Sequence, residues 1–346
     1  MANITSYGDI SPAVAAWASV QMLERATPYL QLERFGQTYT LPTNNTNVAK
    51  FRRYFLTGAT GAAGSGTGNF YTPIAITPLV EGVTPSGSKM ANQDYTVTLA
   101  QYGDFVTITD VVEDTHTDDV LKAATSVLGE SAAIGLETLR FNVLKAGTNV
   151  FRGGAVASRN LITTAPALAD IRRVTTALNR QNAKKISSVV GSSADFNTKS
   201  VEAAYFCVCH PDLETDLRVA GMKPVADYGP HTSPMEGEMG SIEQVRFLSS
   251  TVIAPYADAG GANAALRATT NAATAIDVYP MLFFGRDAFG IVPLKGKSAM
   301  TPMVVNPKPA SGDPLAQRGT VGYKYWTGTV ILQQAFMAIL EVGATA

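Results

Sequence analysis

Between Asp94 and Gly147 the hydrophobic period changes from two residues to about 3.6, and a chain that does this in one stretch has to combine sheet with helix. "DYTVTLAQYGDFVTITDVV" alternates apolar and polar positions, the pattern of a half-buried strand. "TDDVLKAATSVLGESAAIGLETLRFNVLKAG" follows, with Val120, Leu121, Ala124, Leu128, Leu136, Leu139, Val143 and Leu144 on one helical stripe. Thr117 or Asp118 caps its start and Gly147 follows its end. At 1.5 Å per residue this helix would run roughly 40 Å, a spine more than an ordinary core helix. Gly129 and Gly135 inside it each cost about 1 kcal/mol and suggest close approach by another backbone.

The strand alternation is not uniform. Val97 and Leu99 share one face while Val106 and Ile108 have the opposite parity, so a bend or bulge is expected near Gly103. Upstream, "VAKFRRYFL" reads as a strand and "TGATGAAGSGTGNFYTP" as a loop whose glycines, Gly58 to Gly68, are too flexible to pack. Long strands with weakly apolar faces and a glycine-rich tip describe a projecting β-arm. Before them, "DISPAVAAWASVQMLERA" reads as a helix with Ser11 as N-cap and Pro12 at the first helical position. The stretch after it, punctuated by Pro28, Gly36 and Pro42, is extended and has little core of its own.

Chemistry-bearing residues are few. "ITDVVEDTHTDDVLK" crowds Asp110, Glu113, Asp114, Asp118 and Asp119 around His116, which could suggest a metal or acid–base site. These acids precede and enter the first turn of the spine helix, where exposed amides and the helix dipole favour negative charge. They do not recur at turn spacing on one face, so a metal would need ligands from elsewhere. Cys207 and Cys209 in "AYFCVCHPD" point the same way from a strand and read as buried small hydrophobes, since three adjacent donors cannot surround one tetrahedral ion. His210 beside Asp212 lacks a nucleophile signature. Neither the Gly58–Gly68 run nor Gly296-Lys297-Ser298, with Ile291 where glycine is required, completes a phosphate-binding loop. A second helix over "PALADIRRVTTALNRQNAKK" turns Leu168, Ile171, Val174 and Leu178 inward, with Arg172, Arg173, Arg180, Lys184 and Lys185 on or near its exposed side, a cluster read as a solvated face with a nucleic-acid role as the alternative. No catalytic, cofactor or metal role is assigned to any residue on these grounds.

Charge narrows the class further. Lys and Arg total 27 against 28 Asp and Glu, a balance unsuited to gripping nucleic acid with the whole chain. Charged residues are only 16% of the chain while hydrophobic ones are 46%, so much of the surface is expected to meet protein. No apolar run is long enough to span a membrane, the N-terminus lacks the pattern of a signal peptide, and two cysteines form no disulfide framework.

Several blocks, in order, carry a resemblance. "LVEGVTPSGSK", "TLAQYGDFVTITDVVEDTHTD" and "LRFNVLKAGTNVF", then "AAYFCVCHPDLETDLR", "GEMGSIEQVRF", "YPMLFFGRDAFG" and "DPLAQRGTVGYKYWTGTVIL", resemble the major capsid proteins of tailed phages in the N-four-like family. The resemblance covers nearly the whole chain; the glycine-rich 58–68 and the alanine-rich 258–275 depart from it as insertions. It implies an α+β, HK97-like capsid fold: an N-terminal arm over 1–42, an extended β-hairpin loop over 43–112, a peripheral domain with the spine helix over 113–200 and 285–346, and an axial domain over 201–284. It places the closing C-terminal strands beside the spine helix. It implies a virion subunit that self-assembles in the host bacterial cytoplasm into pentamers and hexamers. These form an icosahedral head around double-stranded DNA that the shell contacts non-specifically, with a portal, and a scaffold or a cement protein, as partners and no membrane. A tail-tube or surface-layer subunit shares the composition and is the alternative.

Overall fold

A computed structural model describes residues 29–57, 78–83, 89–111, 120–186, 203–227, 235, 237–295, 301–305, 315 and 317–346. The expected helix over 11–26, the glycine run 58–68, the acidic group Glu113, Asp114, His116, Asp118 and Asp119, and Lys297-Ser298 lie outside these residues.

In chain order the strands begin with β1 (Gln37–Thr38), β2 (Val48–Thr57), β3 (Lys89–Thr98) and β4 (Ala100–Thr109). The spine helix is α1 (Val120–Leu144), followed by β5 (Val150–Arg152) and α2 (Leu168–Arg180). Next come β6 (Tyr205–Cys209), the short α3 (Glu214–Val219), β7 (Lys223–Pro224), β8 (Glu238–Ile242), β9 (Val245–Ser249) and β10 (Tyr279–Phe284). The chain closes with β11 (Phe289–Pro293), β12 (Thr301–Val305), β13 (Arg318–Ile331) and β14 (Met337–Val342).

β5-β14-β10-β6-β9-β8-β7 form a seven-stranded sheet. Its middle strands, "YFCVC", "YPMLFF" and "MAILEV", are buried at every position. Such continuous apolar runs are what a sheet covered on both faces requires. Tyr205, Cys207, Met281 and Phe283 point into one core with Ile171, Val174 and Leu178 of α2 and Leu217 of α3. Phe206, Val208, Leu282 and Phe284 point into the other, with Leu32, Phe35 and the C-terminal turns of α1. Each large side chain buried there returns about 1.5–3 kcal/mol.

The second sheet has β13 at its centre. One edge of β13 pairs with β4 throughout, from Arg318↔Thr109 to Thr327↔Ala100. The other edge is shared between β12 and β11, and β1 adds to β11 in parallel. α1 lies on the face that carries Ile108, Val321, Tyr323 and Tyr325. β2 and β3 make a separate two-stranded ladder, Val48↔Thr98 to Thr57↔Lys89, about 33 Å long at 3.4 Å per residue. Its root packs Ala49, Val97 and Leu99 on Val292, Trp326 and Val330, so the arm's base does have a core within its own subunit.

Three sequence expectations change here. Gly103 sits in an unbroken register, opposite Lys324, with no bulge. The parity change comes instead at Leu99, where the chain leaves the β2–β3 ladder for β13 and the Leu99 N–H donates to Asn47. Gly135 faces a side chain, with the Tyr325 hydroxyl 3.7 Å from where a Cβ would stand, and not another backbone. On α1, Leu139 and Val143 are only half-buried, while Ala132, Ala133, Glu137, Arg140 and Phe141 join Leu128 and Leu136 in the interior. Within 285–346, β11, β12 and β13 lie in the second sheet, whereas β14 pairs with β10 over six residues in the seven-stranded sheet, beside β5 and α2, with its Met337 and Ile339 sharing a core with Phe141 and Leu144 of α1. β14 is buried on both faces, its one charge, Glu341, being paired with Arg152 and Arg159, which suits a sheet covered on both sides.

Candidate assembly surface

The second sheet has one covered and one largely open face. Opposite α1, three strands present Phe105, Gly322 and Met303 in one row, because each directly opposes the next in the ladders. Phe105 is 66% and Met303 41% exposed, and Val305 in the adjacent row is 54% exposed. Gly322 between them has no room for a side chain: a Cβ would stand 2.8 Å from the Phe105 Cβ and 3.0 Å from the Asp104 carbonyl. Arg318 and Lys324 occupy flanking positions on the same face of β13. The hairpin root covers this face only at its Trp326–Val330 end.

Two further apolar surfaces lie elsewhere on the subunit. A groove of about 510 Å³ opens between β4 and the first turns of α1, lined by Val106, Ile108, Val120, Ala124 and Val127. At 78–83, Leu79 is 79%, Val80 65% and Val83 62% exposed around a turn closed by the Val83 N–H on the Val80 carbonyl. Along the β2–β3 ladder, Arg52 holds Asp94 through two bonds of 2.7 and 2.8 Å, and that contact lowers the Asp94 carboxyl below its ordinary value. Clustered exposed apolar side chains on several sides of one chain are the mark of a subunit with several protein partners.

What holds these surfaces in register is a seam through residues 29–41. The Glu137 carboxylate, fully buried on α1, accepts the backbone N–H groups of Gln31 at 3.0 Å and Leu32 at 2.6 Å. Arg140 lies 3.5 Å from Glu137 and donates to Glu33 at 3.0 Å. Two turns earlier, Glu130 accepts the Tyr29 hydroxyl at 2.7 Å. Burial pushes the Glu137 carboxyl above its ordinary value, opposed by the Leu32 N–H and by Arg140. Phe35 then stacks on Phe206 at 4.9 Å, and β1 enters the second sheet. Helix and both sheets are thereby tied by one segment, which passes through a 3-10 turn at Leu32–Phe35. The sequence pattern passed over Glu137 and Arg140. Their signal was a charged pair at i, i+3 within an apolar stripe.

Several of the described residues singled out earlier are held by local contacts. The Asp110 carboxylate accepts the adjacent Val111 N–H at 2.8 Å, where β4 ends. Cys207 and Cys209 are buried in β6, and burial pushes the Cys207 thiol well up. His210 accepts the Asp212 N–H at 3.2 Å, and Asp212 also holds Tyr279 at 3.0 Å and Arg267 at 2.9 Å, tying the 256–278 loop to the sheet end. Arg172 is held by Glu243 at 2.7 Å and Arg173 lies 3.4 Å from Asp170, whereas Arg180 and Lys184 are exposed and Lys185 half-exposed. Among the described residues no group of three or more His, Cys, Asp or Glu side chains could hold a metal ion, and no helix is long and apolar enough to cross a membrane.

Comparison with known proteins agrees with this geometry. None of the curated proteins matches the chain. Among solved structures, the capsid of Ralstonia phage GP4 is similar over 90% of this chain and 87% of its own, at 15% identity and TM-score 0.63. The capsid of cyanophage Pam1 is similar over 93% and 92%, at 17% identity and TM-score 0.55. The SrpI encapsulin of Synechococcus elongatus PCC 7942 is similar over 91% and 88%, at 9% identity and TM-score 0.53. The model of the phage capsid protein family matches residues 93–341. With that match over most of its length and an HK97-like α+β fold, the chain belongs to the phage capsid protein family.

Proposed function

We propose that the chain is the major shell subunit of a tailed phage head, within the N-four-like family, and that it assembles through the surfaces described above. The observation that carries this is one rigid subunit with apolar patches on different sides: the Phe105–Met303 row, the β4–α1 groove and the 78–83 turn. A shell tiled by one sequence in pentamers and hexamers needs such separate, heterologous contacts. Interfaces of standard size take about 800 Å² from each partner, more than one patch supplies. The ordered sequence blocks quoted above support the N-four-like assignment.

In this reading 1–42 is the arm and β2–β3 is the extended loop. α1 with the β13 sheet forms the peripheral domain, and the seven-stranded sheet forms the axial domain. That division follows the ladders, moving 150–180 and 337–346 from the peripheral to the axial unit. The shell encloses double-stranded DNA, meets a portal at one vertex, and assembles in the host bacterial cytoplasm with a scaffold or cement protein as auxiliary. The chain works as a structural protein and not as an enzyme.

Electron microscopy of the purified, expressed chain tests this reading. Closed shells with five- and six-fold capsomers are expected. Tubes would instead assign a tail-tube subunit, and flat arrays a surface-layer protein.

A further inference from the structure

At the C-terminal end of α2 four cations gather on two turns clamped backbone to backbone. Arg180 is the last residue of α2. The chain then reverses through Asn182, in the left-handed region at φ 53°, and the Ala183 N–H returns to the Leu178 carbonyl. Lys184 and Lys185 follow. The Lys184 carbonyl accepts the Arg286 N–H at 2.8 Å from the turn after β10. Gly285 makes that approach possible, because a Cβ there would stand 3.3 Å from the Ala183 Cβ and 3.3 Å from the Lys184 carbonyl. Arg286 is 62% exposed at its side chain, and the carboxylate it faces among the described residues is the 53% exposed Asp287, 3.7 Å away.

Five arginines elsewhere are closely paired with acids. Arg52, Arg172, Arg218, Arg246 and Arg267 each face a carboxylate within 3.0 Å. A helix C-terminus accounts for one cation, Arg180, through the negative end of its dipole. It accounts for neither lysine nor Arg286. Among the described residues, four cations against one carboxylate form a local field that a net charge of −1 over the whole chain conceals.

We infer that Arg180, Lys184, Lys185 and Arg286 form a contact site for the phosphate backbone of double-stranded DNA. The inference rests on the capsid reading, in which a phosphate polymer is the enclosed partner. Nothing in the cluster selects sequence: exposed Lys and Arg side chains on turns meet phosphates as separate point charges. Each phosphate neutralised contributes about 0.9 to the salt dependence of binding.

The test uses the full-length chain, kept below its assembly concentration, with a fluorescent duplex of random sequence titrated across a salt series. Replacing Arg180→Gln, Lys184→Gln, Lys185→Gln and Arg286→Gln together should lower the slope of log K against log salt by about 3 to 4, with the circular dichroism melt unchanged. A control, Lys223→Gln with Lys295→Gln, removes two exposed lysines elsewhere and should change the slope less than half as much. A slope change under about 1 for the four-site variant overturns the site. So does a control that matches the four-site variant, or a variant that loses shells while keeping its slope, which would assign the cluster to an acidic protein surface. Electron microscopy of the parent judges the capsid reading separately from these slopes.

Discussion

Replacing Glu137 with leucine isolates the tie between the spine helix and the segment that precedes the sheets. Glu137 has no exposed surface and Arg140 is 3% exposed. Removing the carboxylate leaves Arg140 with only Glu33, whose side chain is 52% exposed, a pair worth about 0–1 kcal/mol in that setting. It also strips the acceptor from the Gln31 and Leu32 N–H groups. Breaking a buried ion pair from one side costs about 3–5 kcal/mol, a large share of a typical stability of about 5–15 kcal/mol. Adding Arg140→Met should recover at least about 2 kcal/mol, since an apolar pair of similar volume removes the uncompensated charge. Recovery stays incomplete because two buried N–H groups remain without acceptors, at about 1–3 kcal/mol each. Urea unfolding of the unassembled subunit gives both numbers from the shift in midpoint at constant m-value. A cost below about 1 kcal/mol for Glu137→Leu, or simple additivity of the two changes, would refute the coupling.

The same carboxylate has a pH signature: its folded-state pKa is raised by burial from an ordinary 4.5, so ionisation is easier in the unfolded chain and the parent loses stability relative to Glu137→Gln as pH rises from 4.5 through the raised value. Parallel stability–pH curves for the two proteins would count against it. Phe105→Asp with Met303→Asp should abolish shells yet leave the subunit melt within about 0.5 kcal/mol of the parent, since both side chains face solvent in the subunit; shells with the same yield would reassign that face. Gly322→Val should unfold the second sheet or force β4 away, because its Cβ has only 2.8 Å to Phe105; an unchanged melt is the contrary outcome. Truncation after residue 312 removes the central strand of one sheet and a fully buried strand of the other, so a cooperative melt in the truncated chain would show that neither strand is needed.

Local pattern made a good part of this molecule legible. The change of period at residues 94–147 marked β3, β4 and α1, because a strand alternates and a helix repeats every 3.6 residues whatever surrounds them. Gly147 ended the helix, the all-apolar "YFCVC" and "YPMLFF" announced strands, and the inward side of α2 was correct at Ile171, Val174 and Leu178. Pattern could not say which strands pair, since register and partner depend on contacts hundreds of residues apart. β13 and β14 are neighbours in sequence, yet β13 pairs with β4 and β14 with β10. The parity change read as a bulge at Gly103 is a change of sheet at Leu99, a distinction that exists only once β13 is in place. Glu137 and Arg140 looked like ordinary helix charges until Leu32 and Gln31 arrived to be capped, and Arg180, Lys184 and Lys185, already close in sequence, gain Arg286 only where its N–H bonds to Lys184. The sequence by itself determined the elements and their apolar faces, through propensity and period; tertiary structure decided the pairings, the uncovered faces and the charge clusters, because those arise from segments that only folding brings within a few ångströms.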